Sequence, residues 1–229
     1  MYRSISKLLT LIIIVVCASS CALPLYHQVA TMSSPHANIN EDGFFVVAND
    51  IVDVKYDFWQ SYGRVRFLIT NKTDEEIRID LTRSYYIRNG IALDYWVDKP
   101  YVNIPAHCSI LLGDYVITDA PYRDCGLARN PEKNEEAIVS FSLDNSPIVI
   151  DNRLLIIHGD DEVPLSSIFY ISKIQNYPKK SVVQHIDYTF DSSGTAKYDP
   201  QSIYLMQCPY RYYMEYYWDY DMSSDRVNN

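Results

Sequence analysis

Apolar and polar residues alternate with a period of two along much of the chain. Val52-Asp53-Val54-Lys55-Tyr56-Asp57-Phe58 places every apolar side chain on one face of an extended backbone and every charge on the other. Arg64-Val65-Arg66-Phe67-Leu68-Ile69 and Ile77-Arg78-Ile79-Asp80-Leu81 repeat the scheme. Shorter runs of strand-forming residues follow at 102–104, 109–112, 137–143, 148–150, 154–158, 168–174 and 182–188. No segment carries a sustained helical period. Half-buried antiparallel strands are therefore the predicted elements.

The links between these runs carry turn chemistry. Asn71-Lys72-Thr73-Asp74 offers side chains that bond their own backbone. Asn89-Gly90, between Tyr85-Tyr86-Ile87 and Ile91-Ala92-Leu93, is the strongest hairpin signal in the chain. Short strands joined by short polar turns predict an all-β fold, an antiparallel β-sandwich of immunoglobulin-like or related type, over residues 43–208. The polar stretch 122–136 is either an insertion in one continuous sandwich or a boundary between two, with one domain preferred. Residues 21–42 mix Pro, Ser and Asn without period and read as a flexible tether.

The first twenty residues have a different grammar. Arg3 and Lys7 precede the nine-residue run Leu8–Val16, and small residues follow, which is the order of a secretory signal. This run, apolar apart from Thr10, falls well short of the roughly 20 residues that a membrane-spanning helix takes. Ala18-Ser19-Ser20-Cys21 resembles the lipobox of bacterial lipoproteins, in which the cysteine becomes the acylated first residue. That resemblance implies a membrane contact through lipid on Cys21, and Ala22 after the cysteine implies the outer membrane. Removing twenty residues from 229 leaves 209, and losing Arg3 and Lys7 takes the net charge from -9 to -11.

So acidic a chain, with no basic block, is repelled by phosphate backbones, and no nucleic-acid partner is expected. With 48% apolar residues and 21 tyrosines there is ample material for a core. Beyond the anchor stand Cys108, Cys125 and Cys208. An exported protein can keep one disulfide among three, and Cys108 with Cys125 is the favoured pair because the two are close in sequence.

Catalytic and metal signatures are sparse. The five histidines, at 27, 36, 107, 158 and 185, never stand two or four apart, so no strand-borne or helical metal pair is present. A nucleophile elbow, a phosphate loop and a dinucleotide fingerprint are all missing. Asn38-x-Asn40-x-Asp42-Gly43 opens like a calcium loop but carries Asn49 where the bidentate glutamate belongs, so it reads as a turn. Asp160-Asp161-Glu162 reads as a solvated hairpin tip. The expectation is a protein without metal, cofactor or enzymatic activity.

The tail is unusual. Tyr210 to Tyr220 runs YRYYMEYYWDY, with Tyr210, Tyr212, Met214, Tyr216, Trp218 and Tyr220 on one alternating face. It is an edge strand packed on the sandwich, or an exposed aromatic platform for a ligand built from Tyr212, Tyr216, Trp218 and Tyr220; a helical reading of the same residues also stands. Residues 209–229 thus form a tyrosine-rich C-terminal segment after the sandwich.

The segments NKTDEEIRIDLTRSYYIRNGIALDY (Asn71–Tyr95), DNSPIVIDNRL (Asp144–Leu154) and FYISKIQNYP (Phe169–Pro178) resemble a family of Bacteroidota-type outer-membrane lipoproteins. The resemblance covers most of residues 50–178 and leaves the tyrosine-rich tail unmatched. It implies a lipid-anchored β-sandwich and brings no reaction, ligand or catalytic residue. The function expected is that of a non-catalytic interaction module of the cell envelope. Binding of a glycan or host ligand at the cell surface through the aromatic face is the alternative.

Overall fold

The computed structural model describes residues 26–61, 63–95, 99–118, 122, 137–185 and 202–216. In chain order the strands are β1 (Tyr26–Ser33), β2 (Asn38–Ile39), β3 (Phe45–Ala48), β4 (Val52–Asp57), β5 (Arg64–Asn71), β6 (Ile77–Asp80), β7 (Tyr85–Arg88) and β8 (Ile91–Asp94). They continue as β9 (Tyr101–Ile104), β10 (Ser109–Val116), β11 (Ile138–Ser140), β12 (Val149–His158), β13 (Asp161–Pro178), β14 (Val183–His185), β15 (Ser202–Tyr204) and β16 (Arg211–Tyr216). The only helical pieces among the described residues are single turns at Leu143–Asn145 and Lys179–Val182.

Two antiparallel sheets pack face to face. One follows the order β10-β5-β4-β3-β2. The other, of nine strands, runs β16-β1-β13-β12-β6-β9 and adds β11 beside β13, and β7 with β8 beside β12. The predicted alternations hold: Val52, Val54 and Tyr56 on β4, and Val65, Phe67 and Ile69 on β5, are all buried. They meet Ile79, Ile150, Leu154, Ile156, Phe169 and Ile171 from the nine-stranded sheet in one core. Phe169 fits among Phe45, Tyr56 and Phe58, with ring centroids 4.6 to 5.3 Å apart. One polar link crosses the same core. The Tyr56 hydroxyl donates to Ser167 Oγ at 2.9 Å and accepts from Asn152 Nδ2 at 2.6 Å. Burial without charge compensation pushes the Tyr56 phenol up to about 12.

The turns behave as their sequences predict. Asn89 and Gly90 both take positive φ, 48° and 80°, as a two-residue hairpin that follows strand twist requires. Gly159, φ 60°, opens the turn that joins β12 to β13 and leaves the acidic residues at an exposed tip. Asn40 Oδ1 accepts from the Phe44 N–H at 2.8 Å, so the calcium-like segment is a turn between β2 and β3.

One expectation is corrected. Residues 26–33 of the expected tether form β1, an interior strand between β13 and β16. Its His27, Gln28, Val29 and Ala30 are all buried, because the sheet is covered there on both faces; no polar and apolar alternation remains for the sequence to display. Within residues 211–216 the tail takes the edge-strand form of its expected readings and not the helical one. Strand β16 pairs with β1 from Tyr26–Tyr216 to Thr31–Arg211, and the chain at Ser61 bridges its far edge at Tyr213. The stretch 123–136 lies outside the described residues.

Candidate functional site

The outer face of the nine-stranded sheet divides in two. Over β1, β16 and the C-terminal half of β13 the face is roofed. Val29 packs with Val182 and Val183, and with half-buried Tyr177, Tyr204, Met206 and Tyr213. Trp59, only 6% exposed, sits 5.2 Å from the Tyr213 ring, and Tyr204 lies 4.6 Å from the same ring. His27 is 0% exposed and approaches Glu215 at 3.4 Å. Burial is the main cause that raises the Tyr213 phenol above its ordinary range.

Over β6, β7, β9, β12 and the N-terminal half of β13 no other element of the described residues lies on the face, which is bare in that sense. Strand register places Tyr85, Arg153 and Ser166 in one row across it. Tyr101 on β9 is 43% exposed, Tyr85 38%, and the Arg78 guanidinium lies over the Tyr101 ring at 4.7 Å. Arg83 holds Glu162 through two hydrogen bonds, at 2.5 and 2.8 Å. Arg153 Nε donates to Asp151 at 2.6 Å, and the Ser166 hydroxyl donates to the same carboxylate at 2.7 Å.

The local sequence explains how Arg83 arrives there. Asp80 Oδ1 accepts from the Thr82 N–H and hydroxyl, which closes a tight turn after β6. The Ser84 hydroxyl donates to the Asp80 carbonyl and accepts from the Leu155 N–H, so one turn of chain stitches both β6 and β7 to the same edge of β12. Arg83 is thereby lifted off the ladder and turned to the outer face.

Chemically the bare half is a set of phenol rings, guanidinium groups and paired carboxylates on a rigid sheet. The Arg83 hydrogen bonds hold the Glu162 carboxyl below the usual carboxylate range, the opposite of what a general acid near neutral pH needs. Among the described residues no group of three His, Cys, Asp or Glu is placed to hold a metal ion. Among them too, no helix is long and apolar enough to cross a membrane.

The residues singled out in the sequence are scattered. Tyr212 is 3% exposed and belongs to the core with Met214, which removes it from any exposed platform. Its register partner Ala30 and the inward pleat of β16 require this, since Tyr212 and Met214 both face the opposite sheet. Tyr216 ends β16, its backbone paired with Tyr26. Cys21, Cys125, Trp218 and Tyr220 lie outside the described residues. Cys108 carries an exposed free thiol just before β10.

Sequence reasoning did not single out Tyr85, Tyr101, Arg78, Arg83 or Arg153. Alternation does send Arg78 outward from between Ile77 and Ile79. The convergence of the five depends on which strands are neighbours, and no local pattern encodes that. Comparison with family models, with curated proteins and with solved structures finds no match for this chain.

Proposed function

We propose that this chain is a lipid-anchored, non-catalytic interaction module of the bacterial outer membrane, attached through acyl chains on Cys21, and that it meets its partner with the bare half of the nine-stranded sheet. The observation that carries the reading is that half-face. Two exposed tyrosines and three arginines stand together on a rigid sheet, while the other half of the same face is roofed by the chain itself. Tyrosine and arginine are the side chains that most often anchor protein contacts.

The exposed rings of Tyr85 and Tyr101 favour a second reading, glycan capture at the cell surface, since amphipathic rings suit sugar faces. The platform would then be these two residues rather than Tyr212.

Both readings are tested by a photo-crosslinking side chain placed at position 85 or 101 in intact cells, with position 111 on the opposite sheet as reference. A discrete protein adduct from 85 and 101, lost with Arg78→Glu and absent from 111, supports the first reading. Retention on a polysaccharide column that Tyr101→Ala abolishes supports the second. Equal adducts from all three positions, without retention, exclude both. The anchor is read separately, as an acyl mass on the Cys21 peptide that disappears with Cys21→Ala.

A further inference from the structure

The distance from the anchor to the fold is short. Strand β1 begins at Tyr26, five residue steps from Cys21. Even fully extended, five steps reach about 17 Å. An acyl chain buried from Cys21 therefore keeps the start of β1 close to the lipid headgroups. The register then says which part of the sandwich lies there, because Tyr26 is paired with Pro178 at the end of β13 and with Tyr216 at the end of β16.

Among the described residues the two ends of the sandwich differ in charge. The chain leaves Pro178 directly into Lys179 and Lys180, the first half-buried and the second exposed. Glu215, the carboxylate described at this end, is turned to buried His27 at 3.4 Å. The opposite end is acidic. Asp160, Asp161 and Glu162 form the β12–β13 tip, and Asp74, Glu75 and Glu76 lie beside it, since Ile77 is paired with His158 and Glu75 stands 3.7 Å from that histidine. Strand β13 joins the two ends in 18 residues, roughly 55 Å at the usual rise.

We infer that the end of the sandwich marked by Tyr26, Pro178 and Tyr216 rests on the lipid headgroups with Lys179 and Lys180 facing them, and that the molecule stands with its acidic end away from the bilayer. The inference rests on the reading of Cys21 as the acylated residue. Lysine stems lie along a surface and deliver their ammonium groups to anionic headgroups, while the six carboxylates of the far end are repelled by the same charge. The bare half of the sheet, alongside the N-terminal part of β13, is then carried on the side away from the lipid.

The test uses the full-length wild-type protein. It is added to preformed phosphatidylethanolamine and phosphatidylglycerol vesicles, or kept in detergent, and pulsed with an amine-acylating reagent before digestion and mass spectrometry. Lys179 and Lys180 are expected to label several-fold less on vesicles than in detergent, with Lys72 at the acidic end unchanged. The same spectrum reports the mass of the Cys21 peptide. An unmodified Cys21 brings down the anchor reading and the orientation with it. An acylated Cys21 with Lys179 and Lys180 labelled as in detergent overturns the orientation alone. Protection of Lys72 also overturns it, as does protection that fades when the protein is diluted in the bilayer, because a second copy would then be the cover.

Discussion

The two halves of the outer face of the nine-stranded sheet share strand β13 but differ in what lies on them. On one half Trp59, Tyr204 and Tyr213 pack ring against ring over Val29, and the aromatic groups are held by the chain's own fold. On the other, Tyr85 and Tyr101 are left to solvent beside guanidinium groups. The same residue type is structural material in one place and available contact surface in the other. Covering decides which, and the amount of tyrosine does not.

That contrast predicts opposite outcomes for similar substitutions. Trp59→Ala removes a buried indole from the roofed half and is expected to cost about 3 to 5 kcal/mol, read as a large drop in the thermal midpoint. Tyr56→Phe, at the core beneath both halves, leaves Asn152 Nδ2 and Ser167 Oγ short of a partner and is expected to cost about 1 to 3 kcal/mol by urea unfolding.

Alkaline pH sharpens the distinction. The buried Tyr56 and the partly buried Tyr115 phenols are both pushed up to about 12 from an ordinary value of 10, chiefly by burial. The folded chain therefore holds these protons more tightly than the unfolded chain. Their contribution to stability is complete below pH 10 and is lost as pH rises through about 12. Phenolate absorbance should accordingly show one early class of tyrosine and a late class that appears together with unfolding by circular dichroism. A single early class would contradict the closed core.

Tyr101→Ala on the bare half is expected to move the thermal midpoint little, within the roughly 0.5 kcal/mol usual for exposed sites, and to abolish the adduct or the retention. Arg83→Ala is the smallest perturbation. The Arg83–Glu162 pair is exposed and screened by water, so its loss should leave the unfolding midpoint unmoved while weakening partner contact. A large midpoint shift for either variant would show that this half is structural too.

The all-β architecture was legible wherever one side of a strand meets water. Strands β4, β5 and β6 follow their alternation, and the Asn89-Gly90 hairpin follows its turn. Strand β1 was not legible, because burial on both faces erases the contrast that alternation depends on. The runs read separately at 148–150 and 154–158 are one strand, interrupted in hydropathy by Asp151, Asn152 and Arg153. Asn152 faces the core and is held by Tyr56, while Asp151 and Arg153 pair on the outside. Strand β13 likewise runs through Pro164, at a stretch with β12 on one side and no paired strand on the other among the described residues, where proline is tolerated. The candidate site was the least legible part, since Tyr85, Tyr101 and Arg153 are brought together by strand order alone.

The pairing of β1 with β16 also bears on how the protein is made. Tyr26 is matched with Tyr216, 190 residues further along, so the first of the described strands waits for the last of them. Contacts of such sequence separation form slowly, because a long loop must close before any reward is gained. Until Arg211–Tyr216 arrives, one edge of β1 has no strand beside it and can pair with any other extended chain. A ribosome that stops short of Arg211 therefore releases a sheet open at β1, with its aggregation-prone edge exposed from the outset.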